Sequence, residues 1–151
     1  MKWISKHIEQ YEDAKEYVDT IILPLVAFDF SSSETEKKAL QNEIMSIFAN
    51  EIEQKLTGRV IQFPHYHYLS SKELVAEVER LNQWIEKSTN EYVKHIILLT
   101  FDSTWKKYEE DIEGKLLWVP AMYSGDIQSK EVTQIMNDQI KELIQLIQNY
   151  W

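Results

Sequence analysis

Apolar residues along this chain fall in two spacings, three to four apart in some stretches and in short continuous runs in others, and the two kinds alternate. Ile4, Ile8, Tyr11 and Ala14 have helical spacing and predict a helical arm within residues 1–18. Thr20 to Phe28 is nearly all apolar and predicts a buried strand, although Pro24 lacks a donor for a ladder. The strand must therefore be bulged, divided or unpaired on one side at that residue.

Ser33-Glu34-Thr35-Glu36 has the form of a capping box. It predicts a helix with Leu40, Ile44, Ile47, Phe48, Ile52 and Leu56 on one face, closed by Gly58. Arg59 to Phe63 is a short strand stopped by Pro64. A second box, Ser70-Ser71-Lys72-Glu73, opens a helix with Leu74, Val75, Val78, Leu81 and Ile85 inward. His95 to Phe101 is the clearest buried strand. Ser103 is placed to cap a short helix running to Ile112, and Gly114 ends it. Lys115 to Val119 forms a fourth strand before Pro120, and Ser129 caps a C-terminal helix over residues 129–151.

Continuous apolar strands between amphipathic helices predict an α/β fold: a single three-layer domain with a mainly parallel or mixed four-stranded sheet flanked by helices. Right-handed crossovers favour the strand order 2-1-3-4. Only the 13 residues from Asp102 to Gly114 join the third and fourth strands, so the direction of the fourth is open.

Charge narrows the functions. The 151 residues carry 25 Asp+Glu against 16 Lys+Arg, a net charge of −9. No basic stripe compensates, which argues against nucleic acid and anionic membrane surfaces as partners. There are no cysteines, so thiolate metal sites, disulfides and cysteine nucleophiles are excluded. Three glycines cannot build a phosphate-cradling loop. The longest nearly apolar run, Ile21 to Phe28, is far short of the roughly 20 residues of a spanning helix. Residues 1–7 show no apolar leader, and a soluble cytoplasmic protein is expected.

Ligands of open α/β sheets bind beyond the carboxyl ends of the strands. Those ends hold Asp29 with Ser31, Ser32 and Ser33; Pro64 to Tyr68 with His65 and His67; Asp102 and Ser103; and Pro120 to Tyr123, including Met122. His65 and His67 are two apart, so in extended chain both rings point to one face and could grip zinc, with Asp29 or Asp102 as a third ligand. The competing reading is an aromatic loop whose rings pack over helix ends. Asp29 and Ser31 suit a hydroxylated or phosphorylated ligand, or else they satisfy turn amides while Ser33 caps. No glycine-flanked serine nucleophile occurs, and the acidic pair and lysine of a phosphoryl receiver are missing. Asp29 and Asp102 could in principle serve acid–base chemistry, but structural roles are favoured for both, as they are for the lone histidines His7 and His95. Among five tryptophans, Trp105 and Trp118 are read as core. Trp3 and Trp151 are read as packing on the domain, with partner anchoring as the alternative.

Lys2-Trp3, Glu16 to Thr20, Ile22-Leu23-Pro24-Leu25 and Lys115 to Pro120 resemble the YpiF-like family, short uncharacterised proteins of Bacillus and its relatives. The resemblance covers nearly the whole chain, but its motifs are apolar strand patterns. It implies no activity, cofactor or catalytic residues. Family genes often neighbour those of the menaquinol–cytochrome c reductase, which implies a link to respiratory-complex assembly. Ile21 to Leu25, the long helix after it and the Arg59-Val60-Ile61 strand are also similar in topology to the TolB N-terminal and CsgG-like domains, which mediate protein–protein contacts and have a mixed sheet.

These features predict a non-enzymatic interaction or accessory protein with an unknown protein partner, a homodimer being one form, and no cofactor. The alternative is a small metal- or ligand-binding enzyme using His65, His67, Asp29 and Asp102 at the strand ends, with Ser31 a further candidate for holding the ligand.

Overall fold

The computed structural model describes residues 1–121 and 126–151; the expected strand-end residues Met122 and Tyr123 lie outside that range. The elements are helix α1 (Ser5–Ala14) with a 3-10 turn (Lys15–Tyr17), strand β1 (Thr20–Phe28), helix α2 (Thr35–Lys55), strands β2 (Val60–Gln62) and β3 (Tyr66–Leu69), helix α3 (Val75–Ser88), strand β4 (His95–Thr100), a 3-10 helix (Ser103–Asp111), strand β5 (Lys115–Trp118) and helix α4 (Lys130–Asn149). The sheet order is β2-β1-β4-β5, with β3 also on β1, and every ladder is parallel. The expected order is thus found, and the last strand is parallel. A tightly wound 3-10 helix is enough for the short crossover because it rises about 2 Å per residue, more than an α-helix does. The mixed sheet implied by the TolB likeness is not what forms.

The sheet has five strands rather than four, and the extra one explains Pro24. Even-numbered β1 residues turn their backbone groups toward β2 and β3: Thr20 N donates to the Arg59 carbonyl (3.2 Å), Phe63 N to Ile22 O (2.9 Å), and Ser70 N to Phe28 O (3.0 Å). Pro24 therefore presents its missing donor to the gap between β2 and β3, where Pro64 interrupts the neighbouring chain. Ile22 pairs with Gln62 but Leu25 with Tyr66, so one extra residue has entered the outer chain, a bulge at the break. Pro64 to Leu69 is consequently a bulge followed by a strand, not an aromatic loop.

Side chains divide between two cores. Ile22, Val26, Ile97, Leu99 and Leu117 face α2 and α4. Ile21, Leu23, Leu25, Leu98 and Leu116 face α3 and the 3-10 helix, together with Tyr66 and Tyr68. Trp105 is fully buried there, edge-on to Tyr68 with ring centres 5.1 Å apart. Trp118 and Val75 differ from expectation: at 36 % and 66 % exposed, neither is core. Trp118 lies at the end of the edge strand β5, where Lys106 sits 4.1 Å over its ring.

The helix starts also depart from the sequence reading. Ser33 does not cap α2; the Asp29 carboxylate and Ser32 organise the approach instead, and Thr35 Oγ1 donates to Ser32 O (2.9 Å). Ser70 does not cap α3. Its box is displaced because the Tyr108 hydroxyl, brought by the 3-10 helix, accepts from Leu74 N (3.2 Å). Asp102 rather than Ser103 caps the 3-10 helix, through Thr104 N (2.9 Å). Ser129 caps α4 as expected.

At the amino ends of the strands Arg59 makes two 2.9 Å bonds to Asp19, holding its carboxyl below the usual carboxylate range against the burial that would raise it. Trp151 covers this pair, with its indole N–H on Thr20 Oγ1 (2.8 Å) and Arg59 4.1 Å over its ring. Trp151 thus packs on the domain, whereas Trp3 is 65 % exposed.

Gly58 and Gly114 both have positive φ, +94° and +136°. An added Cβ meets nothing at Gly58 but lies 3.0 Å from Ile96 O at Gly114. Gly58→Ala is predicted to cost about 1–2 kcal/mol from backbone strain. Gly114→Ala costs more, because backbone of the central strand β4 must also shift. Urea denaturation of the two variants measures the difference, and equal losses would contradict the packing described for β4 and β5.

Candidate functional site

The order of strands reverses direction between β1 and β4, which is where an open parallel sheet ordinarily offers its crevice. Here that crevice is filled. The void among Leu25, Gln41, Met45, Phe101 and their neighbours is about 10 Å3, room for about one water. Tyr68 closes it, donating its hydroxyl to Asp102 Oδ2 (2.7 Å), while Asp102 Oδ1 accepts from Thr104 N. Burial and the adjacent Asp102 carboxylate push the Tyr68 hydroxyl pKa far above its ordinary value. Asp102 is therefore spent on a buried tyrosine and a helix cap.

Asp29 is spent as well. Its Oδ1 accepts from Ser31 N (3.0 Å) and Ser31 Oγ (3.4 Å), and its Oδ2 from Ser32 Oγ (2.6 Å). These bonds, that of Ser32 foremost, lower its pKa. The turn-amide reading of Asp29 and Ser31 is the one found, although Ser33 takes no capping part in it.

His65 and His67 do lie side by side, ring centres 5.9 Å apart. His65 is half-buried with Nδ1 3.3 Å from Asn42 Oδ1, and His67 is exposed. Neither Asp29 nor Asp102 joins them: among the described residues no group of three or more His, Cys, Asp or Glu side chains is arranged to hold a metal ion.

The open space lies one strand outward. A cavity of about 360 Å3 sits between the ends of β1 and β3 and the first turns of α2. Its floor is Val26 and Ala27, its rim Phe28 and Phe30, and Lys38, Ala39, Asn42 and His67 form the sides. The rings of Phe28 and Phe30 are parallel, 6.4 Å apart. Phe28 is 51 % exposed and Phe30 82 %, and Leu69, the register partner of Phe28, is 70 % exposed. The cleft follows from the bulge, because β3 extends alongside β1 where α2 does not reach it. Alternation then puts Tyr66 and Tyr68 in the core and leaves His67 and Leu69 out. Lys37 pairs with Glu34 (3.3 Å), but Lys38 has no ion-pair or side-chain hydrogen-bond partner among the described residues.

Sequence reasoning brought His67 and Asp29 to this edge but missed Phe28, Phe30, Lys38 and Leu69. A signal was present: in Phe28-Asp29-Phe30 an aromatic follows the end of the strand and runs directly into three serines, with nothing nearby to bury it.

The family model described as "Protein of unknown function (DUF2487)" matches residues 9–151. The chain belongs to the DUF2487 family. It is similar to "Uncharacterized protein YpiF" of Bacillus subtilis (strain 168), 26% identical over 151 residues, which is 100% of this chain and 98% of that protein. No solved structure matches. This DUF2487 chain has, among its described residues, no helix long and apolar enough to cross a membrane.

Burial lowers the His65 pKa, and the His67 charge adds to the effect. The unfolded chain takes up this proton near pH 6.5 while folded His65 resists it. Stability contributed by neutral His65 is thus full above that pH and falls as pH drops toward the depressed folded value. Chemical denaturation between pH 7.5 and 5 should show that decline in the wild type and a shallower one in His65→Asn; parallel curves would contradict the burial of this ring.

Proposed function

We propose that this DUF2487 protein is a non-enzymatic, cytoplasmic interaction or accessory protein that holds a protein partner against the aromatic rim at the carboxyl end of β1 and β3. One observation carries the reading: Phe28, Phe30 and Leu69 form a contiguous exposed apolar edge, while Asp29, Asp102 and His65 are engaged internally. Surface aromatics beside a cleft mark interaction sites more often than folding needs. A reaction centre would want a carboxylate and an imidazole placed together beside a cavity. Asp29 points into its serines, Asp102 into Tyr68, and His65 toward Asn42, so the exposed His67 on the cavity wall has no free carboxylate to work with among the described residues. The link to respiratory-complex assembly implied by the family resemblance suggests a subunit or assembly factor of such a complex as the partner. A homodimer through the same rim is less favoured, since it would bring together two chains of −9.

The test is quantitative pull-down from a native lysate with wild-type bait and with a Phe28→Ser, Phe30→Ser bait. A partner present in stoichiometric amount on the wild type should fall at least about tenfold on the variant, as expected when hot-spot aromatics are removed. Both side chains are exposed, so the melting temperature should stay close to wild type. Equal recovery on both baits would overturn the reading. So would stoichiometric zinc that survives dialysis and disappears in a His65→Ala, His67→Ala variant, which is the outcome the enzyme alternative requires.

A further inference from the structure

The cleft behind the rim is built for more than apolar contact. We infer that it receives an aromatic side chain of the partner protein with a carboxylate carried beside it, the ring lying against Phe28 and Phe30 and the carboxylate closing on Lys38. This rests on the rim being a partner surface and adds the chemistry of what the surface takes.

Size and shape point to a single residue. About 360 Å3 is at the small end of ligand pockets. The two phenylalanine rings lie within 9° of parallel, 6.4 Å apart, and make an apolar rim, while the small Ala39 leaves the α2 flank open. Charge decides what accompanies the ring. Lys38 is only half-exposed, lines the cavity and has no anion of its own among the described residues, whereas the adjacent Lys37 is satisfied by Glu34. An ammonium at a cavity wall with no carboxylate beside it among the described residues is favourably completed by an incoming one. His67, exposed on the opposite wall and its ring without a hydrogen-bond partner among the described residues, adds a second donor. Asp29 is the one carboxylate in the lining among the described residues, and its oxygens already accept from Ser31 and Ser32. The acid therefore belongs at the Lys38 end, away from Asp29.

Two further observations favour a protein chain over a free small acid or a paired strand. Leu69 continues the apolar edge beyond the cavity, so a small molecule filling the cleft would leave it bare, whereas a chain would cover it. The outer edge of β3 is blocked to strand addition at one point, because Arg80 Nη2 donates to the His67 carbonyl (2.8 Å). The partner is thus read through side chains and not through a continued ladder.

Titration of the isotope-labelled protein with N-acetyl-phenylalanine and with its neutral amide separates ring from charge, with amide chemical shifts as the readout. The acid should move the resonances of Phe28, Phe30, Lys38 and His67 and bind up to about fivefold more tightly than the amide, the range of a partly exposed ion pair. Lys38→Gln should bring the acid to the level of the amide, Lys38→Arg should keep the preference, and the acid should displace a partner captured by wild-type bait. Equal binding of acid and amide, with both lost in Phe30→Ser, would overturn the carboxylate requirement and leave the rim intact as a partner surface. Binding of the acid without displacement of the partner would overturn the inference in favour of a free small acid. No shift with either compound would overturn it outright, and only an indifferent pull-down with the Phe28→Ser, Phe30→Ser bait would remove the underlying reading as well.

Discussion

A proline in the middle of the most heavily paired strand governs this structure. β1 carries ladders to β2, β3 and β4, and its residues Ile21 to Val26 are all buried. Pro24 can stand there because its missing donor faces outward, toward a neighbour that is itself broken at Pro64. The two prolines answer each other across the gap. An N–H at position 24 would be buried without an acceptor, and an unbroken partner chain would meet no donor, so each interruption removes an unsatisfied group that the other would create.

The broken edge determines what the domain shows to its surroundings. One inserted residue reverses which side chains of the outer chain point inward, so the Tyr66–Tyr68 pair enters the core and the His65–His67 pair faces α2. Tyr68 then reaches Asp102 and fills the crevice at the reversal of strand order, the place where related architectures bind their ligands. The usable space moves one strand outward, beneath Phe28 and Phe30. A single backbone event thus closes one potential site and opens another.

Much of this was legible from residue patterns, and the omissions have physical causes. Helical periodicity located α2, α3 and α4, and the apolar runs located β1, β4 and β5, because burial of one face is written directly into spacing. The strand order followed from crossover handedness. β3 was not legible as a strand: Tyr66-His67-Tyr68-Leu69 is aromatic and polar and sits immediately behind a proline, and only its alternation hinted at one buried face. Two capping boxes were misread because other groups won the competition, a local turn of Asp29 with Ser31 and Ser32 before α2 and the distant Tyr108 hydroxyl at the start of α3. At the site, Asp29, His65, His67 and Asp102 were brought to the carboxyl end as expected, but sequence spacing cannot say which oxygens are already occupied. Phe30 and Lys38 were overlooked because a search for reactive groups passes over aromatics and unpaired cations.

The register change at Pro64 can be read directly by amide hydrogen exchange in the folded protein. With one residue inserted, the amides of Phe63, Tyr68 and Ser70 face β1 and should exchange slowly, while those of His67 and Leu69 face away and should exchange quickly. An outer chain continuing in unbroken register would protect Phe63, His65, His67 and Leu69 instead, and that pattern would contradict both the bulge and the cleft it opens.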